Sequence, residues 1–208
     1  MAERLLEVTG IETCYGLSQV LFGISLAISA GEMVTLMGRN GMGKTTLIRT
    51  LMGLVRPRAG CVLIDGRDAT RDPTFEIARA GIAYVPEGRG IFASLTVAEN
   101  LDFWARYLDG GAPIATALDA VGLGGIASLP AAYLSAGQRR RLSIARLIAV
   151  ERPLWLLDEP TSALDAAAQA MLAGLMRDHL AGGGMILAAT HGPIGLDGAK
   201  ELRLGGAG

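Results

Sequence analysis

Cysteine is scarce in this chain. Two cysteines stand in 208 residues, at Cys14 and Cys61, too far apart for a CxxC pair and with no Cys/His ligand spacing around them. A disulfide scaffold and a cysteine-based metal site are therefore excluded, and both residues read as small core side chains in a reducing compartment. An excess of charge is missing as well: 19 basic and 20 acidic side chains leave a formal net charge of −1. No global field draws the chain to nucleic acid or to anionic lipid. No apolar run reaches the roughly 18 residues that a transmembrane helix needs. The start, "MAERLLEVTG", places no long apolar stretch behind a basic end, so no cleaved signal is expected. Direct membrane insertion is thus not expected. The reading is a cytoplasmic chain that reaches the inner face of the cell membrane through a partner. Repeats, low-complexity tracts and linkers are absent too, and residues 1–208 read as one domain.

Apolar residues, in contrast, are abundant. They make up 50% of the chain, and the mean hydropathy is +0.38. Parallel strands buried on both faces produce such a value, as does a surface that docks on something apolar. Short apolar segments alternate with helical ones. Leu5–Val8 and Leu21–Ile28 read as strands, followed by "EMVTLMG", "CVLIDG", "GIAYVPE", "PLWLLDEP", "MILAATH" and "AKELRLGG". Helical spacing runs through "KTTLIRTLMGL", through a block from Thr96 to about Ala132, and through "AAAQAMLAGLMRDHL". The alternation predicts an α/β fold with a mainly parallel sheet, to which an early β-rich segment and a mid-chain helical block are added.

Two stretches carry chemistry. "GRNGMGKT", Gly38–Thr45, fits the G-x-x-x-x-G-K-[ST] loop, follows a predicted strand and opens a predicted helix. Its glycines Gly38, Gly41 and Gly43, with Arg39, Asn40 and Met42 between them, let successive N–H groups turn toward phosphate oxygens. The helix start, continuing through Thr46, adds partial positive charge. Lys44 supplies a full charge to the β- and γ-phosphates of a nucleoside triphosphate, and the Thr45 hydroxyl can ligate Mg²⁺. "LWLLDEP" delivers Asp158 to the C-terminal edge of the sheet, where it can hold Mg²⁺ through water. Glu159 follows as a carboxylate able to polarise the attacking water.

Together with "LSAGQ" at Leu134–Gln138, "SALD" at Ser162–Asp165 and "ATH" ending in His191, these stretches resemble the ATP-binding cassette family in order and over nearly the whole chain. The resemblance implies a P-loop NTPase (RecA-like) core, an N-terminal antiparallel β subdomain and an inserted helical subdomain. It places the core with its β subdomain at 1–87 and 150–208, and the helical subdomain at 88–149. It implies ATP as substrate, Mg²⁺ as cofactor, a second ATPase subunit and integral-membrane transporter subunits as partners. In the family, two cassettes pair head-to-tail, and the signature of one (here Ser135, Ala136, Gly137 and Gln138) closes on ATP held by the other. Ala136 replaces a usual glycine, and its methyl is expected to loosen closure without abolishing it. Tyr15 matches the residue that stacks on adenine, His191 the switch histidine at the γ-phosphate, and Asp165 the loop coupling the two sites. Glu87 stands where many members carry glutamine. A carboxylate cannot donate as an amide does, so its sensing of metal and γ-phosphate is expected to differ. Arg139, Arg140 and Arg141 read as a solvated helix face, and His179 as an exposed helix residue.

Within the family the two halves point in different directions. "IARAGIAYVPEGRGIFASLTVAENL" and the segment before it look like the ATPase of branched-chain amino acid importers. "LPAAYLSAGQRRRLSIARLIAVERPLWLLDEPTSALD" and the rest look like the ATPase of the haem exporter of cytochrome c maturation, which the short length also suits. The switch falls near Leu101, as in a recombinant or designed sequence or after drift within one superfamily. Haem export is the favoured expectation. A soluble cassette of translation or DNA repair would bring tandem cassettes, basic arms or long coiled coils, none of which is present. A P-loop kinase or GTPase leaves "LSAGQ" and "SALD" unexplained, and a binding module without turnover leaves Glu159 unexplained.

Overall fold

Two consecutive strands, β7 (Leu154–Asp158) and β8 (Met185–Ala189), are buried at every position. Side chains on a strand alternate between faces, so such strands need a cover on both sides. In the computed structural model, which describes residues 4–88, 90–192 and 194–205, these strands are the centre of a five-stranded sheet. Its order is β6-β7-β8-β3-β9, with β3 at Met33–Met37, β6 at Ile82–Val85 and β9 at Lys200–Arg203. Every pairing in it is parallel. The mainly parallel sheet expected from sequence is wholly parallel among the described strands.

One face of this sheet (Trp155, Leu157, Ile186, Ala188) packs with helices α3 (Val97–Tyr107), α4 (Ile114–Ala120), α5 (Ala136–Val150) and α6 (Ala166–Ala181). The other face (Leu154, Leu156, Leu187, Ala189) packs with α1 (Lys44–Leu51) and a second, antiparallel sheet. That sheet has the order β2-β1-β4-β5, with β1 at Arg4–Tyr15, β2 at Ser18–Ser29, β4 at Ala59–Ile64 and β5 at Arg67–Asp68. β1 and β2 form one long hairpin, longer at both ends than the apolar runs Leu5–Val8 and Leu21–Ile28. Of its extra residues, Ile11 and Thr13 are buried, whereas Thr9, Tyr15 and Ser18 are exposed, and the strands pair through the backbone along their length, so the apolar pattern marks only part of the hairpin. Asp65 and Gly66 both have positive φ, 50° and 71°, the geometry of an Asp-Gly hairpin turn, and join β4 to β5.

Several local expectations change. A short helix α2 (Thr74–Arg79) and the two-residue β5 carry no periodic signal and were not anticipated. The helical block contains α3, α4 and two 3₁₀ turns at Gly124–Ile126 and Ala131–Tyr133. Cys14 and Cys61 are half-buried on β1 and β4, not core residues. His179 is not exposed: its ring stacks on Trp155 at 3.8 Å between centroids, and Nε2 lies 3.1 Å from the Pro153 carbonyl. Burial there lowers its pKa. The residues Met1–Glu3 of the N-terminal stretch, Arg89 of "VPEGRGIF", Pro193 and the final Gly206–Gly208 lie outside the described residues. No helix among the described residues is long and apolar enough to cross a membrane.

Leu156 has no solvent exposure and packs in the sheet face toward α1. Leu156→Ala is expected to lower unfolding stability by about 2–5 kcal/mol, read as a fall in the urea midpoint at constant slope. An unchanged midpoint contradicts the two-sided burial.

Candidate functional site

The sheet order decides which residues meet. Neighbouring parallel strands β6, β7, β8 and β3 all end on one edge. After them come Glu87, Asp158–Glu159, His191 and the loop Gly38–Gly43 respectively. That is the carboxyl edge where ligands of open α/β sheets collect. A cleft of about 310 Å³ lies there, lined by Arg39, Asn40, Gly41, Gly43, Lys44, Thr45, Thr46, Glu87, Glu159 and His191.

The loop is built to face an anion. Gly43, the N-cap of α1, has φ 93° and offers no side-chain cap, so the first N–H groups of the helix are left for a ligand. A Cβ on Gly43 would lie 2.7 Å from Leu21 Cδ2, and Gly41 has φ 83°. A side chain at Gly43 is thus opposed by sterics as well as by backbone conformation, and one at Gly41 by backbone conformation alone.

Lys44 is 6% exposed. Its ammonium donates to the Gly38 carbonyl at 2.6 Å and to His191 Nδ1 at 3.1 Å, and Glu159 Oε1 lies 4.0 Å away. An ammonium has no lone pair, so Nδ1 must be the acceptor, which puts the ring proton of a neutral His191 on Nε2. Nε2 faces Glu159 Oε1 at 2.9 Å. Lys44, His191 and Glu159 therefore form a closed circuit of donors and acceptors in the cleft.

Burial raises the pKa of Glu159 above the usual carboxylate value, against the pull of His191 and Lys44. Asp158, 1% exposed, is also raised by burial, while the hydrogen bond from Thr45 Oγ1 at 2.9 Å opposes the shift. A hydroxyl and a carboxylate in contact are hard oxygen donors, which suit Mg²⁺ bound chiefly through phosphate and water. Among the described residues no three His, Cys, Asp or Glu side chains form a metal cage of their own.

The remaining sequence candidates lie elsewhere. Tyr15, at the end of β1, is 46% exposed and does not line the cleft; it lies beside Arg49, whose pKa it raises. Met42 packs against Gly205 at the loop's outer side. Ser135 is the N-cap of α5, with its hydroxyl accepting from the Gln138 N–H at 3.1 Å and Gln138 Oε1 accepting from the Ser135 N–H at 2.8 Å. Ser135 is exposed and absent from the walls of the Lys44 cleft. As a cap acceptor it keeps its own proton free to donate outward. Ala136 is exposed beside it, and a Cβ on Gly137 would meet the Ala163 carbonyl at 3.0 Å. Asp165 caps α6, accepting from the Ala168 N–H at 2.8 Å.

Two features escaped the sequence reading. Ser-x-x-Gln at 135–138 and Thr-x-x-Glu at 96–99 are capping boxes, a pattern legible in the residues alone. The arginines after the signature are not a solvated face. Arg140 is 7% exposed, and Arg141 donates to the Val121 and Gly122 carbonyls at 2.9 and 3.2 Å. Arg140 sits four and seven residues before the buried Ile144 and Leu147, a spacing that marks the inner side of a helix.

Comparison with known proteins agrees with this geometry. The family model described as ABC transporter matches residues 21–162. The cytochrome c biogenesis ATP-binding export protein CcmA of Rhodopseudomonas palustris (strain BisB5) is 50% identical over 95% of this chain and 96% of its own. Its namesake from Bradyrhizobium diazoefficiens is 50% identical over 90% and 92%, and that of Rhizobium etli 44% over 92% and 90%. A solved ATP-binding subunit of an ABC transporter superposes with TM-score 0.82 at 32% identity, over 90% of this chain and 79% of that one. The ADP conformation of another ATP-binding cassette superposes with TM-score 0.82 over 97% and 87%, at 22% identity, and so shares the fold.

Removing the Lys44 ammonium should weaken Mg·ATP binding by about 1.5–3 kcal/mol, roughly a 10- to 100-fold rise in Kd. Titration calorimetry on Lys44→Ala checks this, and undiminished affinity contradicts the assignment. The cleft, its order along the chain and the relatives converge on one conclusion: this chain belongs to the ABC transporter family, as an ATPase of that family.

Proposed function

We propose that two copies of the chain bind two Mg·ATP between them and drive integral-membrane subunits in an export system of cytochrome c biogenesis, with haem as the cargo. The observation that carries the ATPase part is the circuit of Lys44, His191 and Glu159 next to the Thr45–Asp158 pair. In this reading the triphosphate enters the N–H groups of the loop and takes the Lys44 ammonium, which frees Glu159 from its ion pair. Glu159 then polarises the attacking water, and His191 Nε2–H turns to the γ-phosphate. Thr45 and Asp158 would hold Mg²⁺, which would supply positive charge against that developing on the phosphate oxygens. Glu87 overlooks the same cleft, and Tyr15 stacks on adenine after leaving Arg49.

Each cleft is closed by Ser135–Gln138 of the other copy, with Ser135 donating its free proton. Asp165 couples the two sites. The cargo assignment rests on relatives whose names specify cytochrome c biogenesis and export, and whose match runs through both halves of the chain. The importer-like stretch before Leu101 supports branched-chain amino acid import as the second reading.

The membrane partner has a surface to fit. A groove of about 540 Å³ runs between the sheet core and the helical block, lined by Phe75, Tyr84, Trp104, Tyr107 and Leu147 among others. Pro86 and Gly90 on its wall flank the Glu87 loop. A short apolar segment of a membrane subunit seated there would keep the chain peripheral on the cytoplasmic face and would feel movement of that loop.

Glu159→Gln should retain ATP binding, lose about 10²–10⁴-fold in turnover, and accumulate ATP-dependent dimers in size-exclusion chromatography. Undiminished turnover contradicts the role of Glu159. Co-purification from membranes, with the integral partner identified by mass spectrometry, should return subunits of a cytochrome c biogenesis exporter. Subunits of an amino acid importer would overturn the cargo assignment.

A further inference from the structure

Arg140 is a buried cation, and its guanidinium reaches four carbonyl oxygens of two different loops. Nη2 donates to Asp158 at 2.8 Å and to Glu159 at 2.7 Å, Nε to Pro160 at 3.2 Å, and Nη1 to Pro86 at 2.6 Å. Three of these oxygens belong to the turn that presents the catalytic carboxylate, and the fourth to the residue before Glu87. Burying a guanidinium is unfavourable, and burial does lower its pKa, with Asp158, Glu87 and Glu159 nearby opposing the shift. An arginine retained in such a place has a planar fork that no other side chain can reproduce.

The turn it grips is strained. Glu159 has φ 47° and Ala163, four residues on, φ 62°. A non-glycine residue in the left-handed region costs about 1–2 kcal/mol, and such conformations persist only where surrounding bonds over-determine them. At Glu159 the bonds are identifiable. Its N–H donates to the Ala189 carbonyl at 2.9 Å, and its own carbonyl accepts from Arg140 at 2.7 Å as well as from the Ser162 N–H inside the turn at 3.0 Å. The peptide on each side of the Glu159 Cα is thus fixed from outside the turn. That sets the direction in which the carboxylate leaves the backbone, toward His191 and Lys44.

We propose that Arg140 is a positioning residue for ATP hydrolysis: it holds the left-handed turn at Glu159, and with it the catalytic carboxylate, in the orientation the attacking water requires. The inference rests on the reading of Glu159 given above. Arg140 also lies on the helix that Ser135 caps, about 7–8 Å along the axis at 1.5 Å per residue. The residue assigned to the partner's ATP and the brace of this chain's own carboxylate therefore share one rigid element.

The test is a comparison of Arg140→Lys and Arg140→Gln with the parent chain. Neither replacement can span four separate carbonyls, and glutamine also removes the buried charge. A carboxylate misplaced by about 1 Å loses on the order of 10²-fold in rate. The expected result is a fall in kcat of that order in a folded variant, with KM and the Kd for Mg·ATP within about two-fold of the parent. In the Glu159→Gln background the same replacement should cost almost nothing further, since the group it positions is already gone. Parental kcat in either folded variant overturns the proposal. So does a loss of ATP affinity that matches the loss of rate, or unfolding of both variants, since each marks Arg140 as a general brace of the fold. A parent chain that hydrolyses no ATP, or an undiminished Glu159→Gln, overturns the reading of Glu159 itself and this inference with it.

Discussion

A buried ammonium cannot stay without partners, and the environment of Lys44 follows from that constraint. Desolvating a charge is expensive unless oxygen or nitrogen acceptors surround it. Lys44 finds them in the Gly38 carbonyl, His191 and Glu159. In the proposed reading, these are the groups that a nucleotide's terminal phosphate displaces or recruits. In that reading, the Glu159 carboxylate is held in an internal ion pair until an anion takes over the cation. The parallel sheet makes this possible, since it delivers the contributing loops from adjacent strand ends. Its two-sided burial in turn accounts for the high mean hydropathy of the chain.

Much of this was legible in the residues. Gly38–Thr45 could be read because a phosphate loop imposes glycine at fixed offsets, and Asp158–Glu159 because an apolar strand ending in two carboxylates has few bland uses beside such a loop. The parallel sheet followed from the alternation of apolar runs with helical spacing. The long hairpin Arg4–Ser29 exceeded expectation because its extension pairs through backbone groups and buries only isolated side chains such as Ile11 and Thr13. Arg140 and His179 were misread for a shared reason. Charge and polarity predict exposure on average, yet carbonyl oxygens at Pro86, Asp158, Glu159 and Pro160, and the Trp155 ring, supply partners that only tertiary structure brings within reach. Ser135 drew notice for its place in "LSAGQ", while its role as a helix cap went unread. Tyr15 turns to Arg49 rather than to the cleft, a choice that no local pattern could reveal.

The division of labour in the molecule is spatial. The groups assigned to phosphate, metal and water gather at the sheet edge, whereas the exposed "LSAGQ" stretch lies on a separate surface and the apolar groove lies behind the Glu87 loop. α5 runs between these regions. It begins at the Ser135 cap, passes the Arg140 contacts, and reaches Arg146, which donates to the Tyr84 and Gly90 carbonyls at 3.0 Å on either side of Glu87. A small rotation of that helix would be felt at the carboxylate and at the groove together. Packed interfaces respond to such shifts by switching between discrete arrangements rather than by deforming continuously. That is the physical route by which ATP occupancy would reach a membrane subunit.

The central claim is that each cleft is half a site, completed by a second copy facing the opposite way. Oxidative cross-linking between a chain carrying Asn40→Cys and another carrying Ser135→Cys, both with Cys14 and Cys61 replaced by serine, tests it most directly. With a non-hydrolysable ATP analogue and Mg²⁺, the account predicts a disulfide joining one chain of each kind, and little product without nucleotide. A nucleotide-dependent disulfide forming inside single chains that carry both cysteines, with none between chains, would contradict it.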